Sequence, residues 1–185
     1  MFGTNDKDFT FLLDLSERYD EEASNCKKNG QILAGCVMYA ARMEATILAM
    51  ALVHENEVIA SETYRRKSER DLRQWGLKSL LDLSRELNWI PSSLAVGVIA
   101  RKSDIEPDEA LKRGDIGYFA DVVREVRDMV HPGRYLRLWS GVPLTNEFVE
   151  SVEETVGVVN EVLENKLHES IRNSPEFQEM TRSGK

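Results

Sequence analysis

In the stretch VVREVRDMVHPGRYLR, residues 122 to 137, the side chains able to do chemistry are Arg124, Arg127, Asp128 and His131. Steps of three, four and seven residues return to nearly the same face of a helix, so these four project from one polar side, away from the valines. An imidazole can shuttle protons, and a guanidinium can stabilise charge developing on the oxygens of a phosphodiester; the pair works without a metal. The same residues also suit a plain helix end, with basic side chains near the last carbonyls and Pro132-Gly133 as the stop. Glu44 bears on the choice. It stands in an otherwise apolar helix, where a buried carboxylate needs a cation or a proton. Arg42 points from a different face, whereas Arg124 or Arg127 on a facing helix would pair with Glu44 and be oriented by it. The other reading of Glu44 is a side chain that reaches solvent at the helix edge.

The elements that must carry these residues are helical. Over residues 7 to 28, Phe9, Leu12, Leu15, Tyr19, Ala23 and Cys26 recur at spacings of three and four, which predicts one buried stripe. Residues 31 to 54 are apolar on all sides and predict the central helix. ENEVIASETYRRKSER is polar and without period, a flexible connection holding at most a short helix. GLKSLLDLSRELN predicts a helix over 76 to 88 that stops before Pro91. Pro107 and Gly114 bound a short helix. A helix then runs from Tyr118 to His131, and PGRYLRLWSGVPL follows as a loop. A final helix opens with Thr145 as N-cap and turns Phe148, Val152, Val156, Val159, Leu163 and Leu167 inward. Every strong period is close to that of a helix, so the expected class is all-α: an antiparallel helical bundle of four to five main helices in one domain over 1–185. Its core covers about 7 to 171, and 172–185 form a frayed tail.

Composition narrows the function. The chain has 185 residues, 30% of them charged, and a net charge of −8; this balance disfavours broad, sequence-blind attraction to nucleic acid. Cys26 and Cys36 form neither a disulfide framework nor a zinc pattern, so no metal and no cofactor is expected. The N-terminus lacks the basic and apolar regions of a secretory signal. Arg42 and Glu44 lie mid-segment in ILAGCVMYAARMEATILAMALV, which makes it a core helix and not a membrane span. The expected location is the cytoplasm. His54 and His168 are isolated and read as capping or surface residues. The basic residues of YRRKSER and SERDLRQW, beside Tyr64 and Trp75, read as a solvated connection or as a stacking surface for phosphates.

VREVRDMVHPGRYLR, together with GCVMYAARMEATILAMALVH and GLKSLLDLSRELNWIP, resembles the HEPN-like helical domains of prokaryotes, in which an Arg and a polar residue precede a His near the end of a late helix. The resemblance implies a helical bundle, a homodimer whose Arg and His meet their copies across the interface, and for many members a metal-independent ribonuclease of defence or toxin systems. Other members are non-catalytic binding or scaffold modules. Carried over, His131 is the general acid/base, Arg127 the phosphate-stabilising cation and Asp128 the polar residue beside it. Arg127 leaves three residues before His131 and Arg124 leaves six, where the family leaves about four to six. Two functions stand open. An endoribonuclease with RNA as substrate predicts that His131→Ala abolishes cleavage without unfolding. A helical module binding a partner protein predicts that His131→Ala lowers stability and leaves RNA intact.

Overall fold

The most apolar segment of the chain is also its axis. In the computed structural model, which describes residues 6–90, 123–138, 141 and 143–173, helix α2 (Ile32–Val53) packs against α1 (Asp6–Lys28), α5 (Leu77–Glu86) and the long last helix, α7 (Asn146–Asn173). Short helices α3 (Glu55–Ala60) and α4 (Glu62–Arg66) and a 3-10 turn (Leu72–Gln74) connect α2 to α5. Helix α6 (Pro132–Leu138) precedes α7. Every regular element among the described residues is a helix, so the all-α class holds. α2 is the one described helix long and apolar enough to cross a membrane, and most of it is buried within the protein.

The packing follows from side-chain size. Tyr39, Met43, Ile47 and Met50 of α2 are fully buried, and so are Val149, Val156, Val159 and Leu163 of α7. Gly35 lets three helices meet: a β-carbon there would stand 3.3 Å from Val149 Cγ2 and 3.4 Å from the carbonyl oxygen of Ala23. α1 runs antiparallel to α2, with Ser16 against Thr46 and Asp20 against Arg42. α7 runs parallel to α2, since Gly35 meets Val149 and His54 meets Ser170. The uniformly antiparallel arrangement expected from the sequence is therefore corrected. The long stretch of chain between α2 and α7 brings the polypeptide back to the start of α2 before α7 begins.

Helix ends explain most boundaries. Gly30, with φ of 71°, closes α1: its N–H donates to the Lys27 carbonyl at 3.0 Å and that of Gln31 to Cys26 at 2.8 Å, which satisfies carbonyls the helix leaves open. Asn88, with φ of 53°, ends α5 in the same way, with Trp89 N–H bonded to the Ser84 carbonyl at 2.8 Å. The α5 stop is thus made by Asn88, three residues ahead of the proline expected to make it. Thr145 caps α7, its hydroxyl accepting from Phe148 N–H at 3.3 Å. The connection after α2 is pinned, not loose. The Glu86 carboxylate accepts from Glu62 N–H and Thr63 N–H, and Trp75 Nε1 donates to the Glu69 carbonyl at 3.1 Å.

Two expectations change around the motif. Residues 123–127 are helical, but the last turn tightens to 3-10 over Asp128–Val130 and His131 is extended, with φ of −90° and ψ of 111°. Pro132 then opens α6 instead of starting a loop. A proline ring presets the helical φ and lacks only an N–H that a first turn leaves unpaired anyway, so Pro-Gly after a helix can equally begin another one. The short helix expected between Pro107 and Gly114, the start of the helix expected at Tyr118, and the tail beyond Asn173 lie outside the described residues.

Candidate functional site

The corner between residues 123–131 and α2 brings together part of the expected site. Val123, Val126 and Met129 are buried in the core, and this fixes the opposite edge of the same turns toward α2. There Arg127 Nη2 lies 3.1 Å from Glu44 Oε2, the two side chains being 38% and 21% exposed. A carboxylate inside an apolar helix has thus found a guanidinium on the facing segment, as its desolvation requires. Burial pushes the Glu44 carboxyl above the ordinary glutamate range, and the Arg127 charge opposes that shift. Arg124 lies 3.5 Å from the neighbouring Glu125 and does not appear in the Glu44 pair. The carbonyl of Asp128 accepts the His131 N–H at 3.0 Å.

His131 itself is placed differently from a residue inside the last turn of a helix. It is exposed, and its carbonyl accepts from Tyr135 N–H at 3.0 Å, joining the 3-10 turn to α6. Its ring makes no hydrogen bond, ion pair or ring contact with the described residues. Among the described residues its contribution to the fold is therefore made by its backbone. Beside this corner, Val130 is 51% exposed and shares a groove of 530 Å³ with Ile32, Leu33, Val37 and Met38. Among the described residues no charged side chain lines that groove.

A second constellation is only partly visible in the sequence pattern. His54, which reads as isolated, is held on both nitrogens: Nδ1 is 2.8 Å from Glu57 Oε1, and Nε2 is 3.1 Å from Ser170 Oγ on α7. Its ring leans on Trp89 with centroids 5.4 Å apart. Carboxylate, imidazole and hydroxyl stand in line as in a nucleophile's relay. The Ser170 hydroxyl, however, also donates to the Lys166 carbonyl at 2.9 Å, and its backbone N–H is inside a helix, where it cannot stabilise an oxyanion. The arrangement is a tie between the end of α2 and α7. The i, i+3 spacing of His54 and Glu57 was visible in the sequence; Ser170, 116 residues away, was not.

The basic connection is likewise engaged. Arg70 lies over the Tyr64 ring at 4.8 Å and donates to the Tyr64 carbonyl at 2.6 Å, while Lys67 lies over Trp75 at 5.5 Å. Arg66 pairs with Glu62, and Arg73 with Asp71 at 2.9 Å. These cations cap carbonyls and cover rings, so the solvated connection describes them better than a stacking surface does. Among known proteins, no family model, no curated sequence and no solved structure matches this chain.

Proposed function

We propose that this chain is a cytoplasmic, HEPN-like helical module that works by binding: a homodimer whose copies meet at the groove beside the Arg127 corner. The observation that carries the reading is the groove itself, whose described lining of Ile32, Leu33, Val37, Met38 and Val130 is uncharged, on a chain in which 30% of residues are charged. Two copies, each with a net charge of −8, approach with least repulsion and most gain where no charge is present and apolar surface leaves water. Arg127 supports the same reading, because a guanidinium already neutralised by Glu44 has less charge to give to a phosphate. Sedimentation of the purified chain tests it. The expected result is a dimer that Val130→Glu converts to monomer, with single-stranded RNA left intact in the presence of a chelator.

A second reading, a metal-independent endoribonuclease, is favoured by one feature: Arg127 remains 38% exposed while Glu44 fixes it, and the exposed His131 follows four residues later. In that case Arg127 stabilises the phosphate and His131 moves the proton of the 2′-hydroxyl. RNA cleavage that survives chelation and disappears in His131→Ala would establish this reading and overturn the first.

A further inference from the structure

The turn between α1 and α2 holds a side chain whose chemistry the helical packing does not use. Of the nine asparagines in the chain, Asn29 alone is followed by glycine. Asparagine is among the thermolabile residues, and a glycine after it, having no β-carbon, lets its backbone nitrogen approach the side-chain amide unhindered. Both residues are exposed, and a β-carbon at Gly30 would meet nothing within 4 Å. The turn therefore has room for a ring to close. Two hydrogen bonds hold it meanwhile: Asn29 Nδ2 donates to the Asn25 carbonyl at 2.9 Å, and Gly30 N–H to that of Lys27 at 3.0 Å. Both belong to the end of α1, and helix ends open at a small fraction of the free energy of global unfolding.

We propose that Asn29 is a site of self-modification, at which the Gly30 nitrogen turns the side-chain amide into a carboxylate. When the end of α1 opens, that nitrogen gives its proton to hydroxide and attacks Asn29 Cγ. The N–Cγ bond forms, the Cγ–Nδ2 bond breaks, and Nδ2 takes up a proton and leaves as ammonia. Water then opens the cyclic imide at either carbonyl, giving aspartate or its β-linked isomer. Asparagine and water become aspartate and ammonia, and nothing is oxidised or reduced.

The new charge falls beside the apolar groove, which Gln31 and Ile32 line. Two residues of chain reach at most ~7 Å, within the ~8 Å over which a charge is felt in physiological salt. The consequence for pairing rests on the groove being the dimer surface: each copy then brings a carboxylate to the rim of a groove whose described lining is uncharged, and the dimer weakens. The fold itself tolerates the change. Lys28 precedes the site at the end of α1, and the first turn of α2 holds no acidic residue, so a carboxylate between them meets a basic neighbour and the positive end of a helix.

Peptide mass mapping of the full chain, held for days in mildly alkaline buffer, tests the modification. The expected result is the small mass gain of an amide turned to acid, at Asn29 ahead of the other asparagines and in two products separable by chromatography. The gain should quicken as pH rises, because the attacking nitrogen must first lose its proton. Asn29→Gln, whose ring would need one more carbon, should show no gain over the same period. If Asn29 stays intact while the same chain in urea converts it, the folded turn forbids the step and the proposal is overturned. Sedimentation of Asn29→Asp reads the consequence separately: its dimer should dissociate about tenfold more readily than the wild type, and an equal dissociation constant would overturn the effect on pairing. A wild-type chain that sediments as a monomer would refute the dimer, and the effect on pairing with it, while the masses alone decide the modification.

Discussion

At the scale of the residue, Glu44 carries the most information. A single carboxylate among apolar residues demands a partner, and the polar face of the late helix offers Arg124 and Arg127; the pair with Arg127 was legible for this reason. Which arginine answers was not legible, because Arg124 and Arg127 lie less than one turn apart on the same face of the helix. The pair also sets a pH dependence. Burial raises the Glu44 carboxyl above its ordinary value of 4.5, against the opposing charge of Arg127. The folded protein thus binds this proton more tightly than the unfolded chain. The resulting stability is fully present below 4.5 and is lost as pH rises from there through the raised value. Glu44→Gln, which keeps the shape and cannot titrate, removes this descent. Urea midpoints measured across that window should fall with pH in the wild type relative to the variant; parallel curves would show that Glu44 titrates as it does in the unfolded chain. His131→Ala should leave the midpoint unchanged, since among the described residues only the backbone of His131 is engaged. This reverses the stability loss that a capping role implies.

At the scale of the element, periodicity located α1, α5 and α7 because each has a buried face that recurs every turn, and α2 was marked instead by being apolar on all sides. Where an end depends on one backbone conformation, sequence is less explicit. Gly30 and Asn88 both adopt the left-handed region, yet only the glycine is conspicuous as a stop, and Pro132 serves equally well as a stop and as a start. Two substitutions test the elements directly. Gly35→Val places branched carbons where a β-carbon would already stand 3.3 Å from Val149, so it should cost about 1–3 kcal/mol by overpacking three helices. The gain in helix propensity over glycine, under ~1 kcal/mol, is too small to offset this. A urea midpoint equal to wild type would mean that α7 can move away from α2 freely. Thr145→Ala removes the hydroxyl that accepts from Phe148 N–H in the first turn of α7, and should cost ~1 kcal/mol. Thr145→Ser, which keeps the acceptor, should restore most of it in the same denaturation experiment.

At the scale of the whole molecule, helical class follows from local pattern, whereas the direction in which α7 passes α2 does not. Directions depend on how far the chain travels between two helices, and no periodicity records that. The same long-range contacts that sequence leaves unspecified determine where the molecule opens. α2 is covered by α1, α5 and α7 at once, and twelve of its residues are buried. Its amides cannot meet water unless at least one of those neighbours leaves. α6 is different: Leu136 is 69% exposed and His131, Pro132 and Gly133 before it are exposed as well, so its amides need only a local opening. Native-state hydrogen exchange should therefore rank the helices, with α2 amides from Tyr39 to Leu52 exchanging at the free energy of global unfolding and α6 amides several orders of magnitude faster. The His54 tie sharpens the expectation. It fastens the end of α2 to α7 through Ser170 at 3.1 Å, and its loss should free the last turn of α2 before the middle. In His54→Ala the amides near Val53 should exchange faster while those near Met43 keep the global rate. If both regions accelerate together, α2 and α7 open as one unit and the tie is not what holds that end.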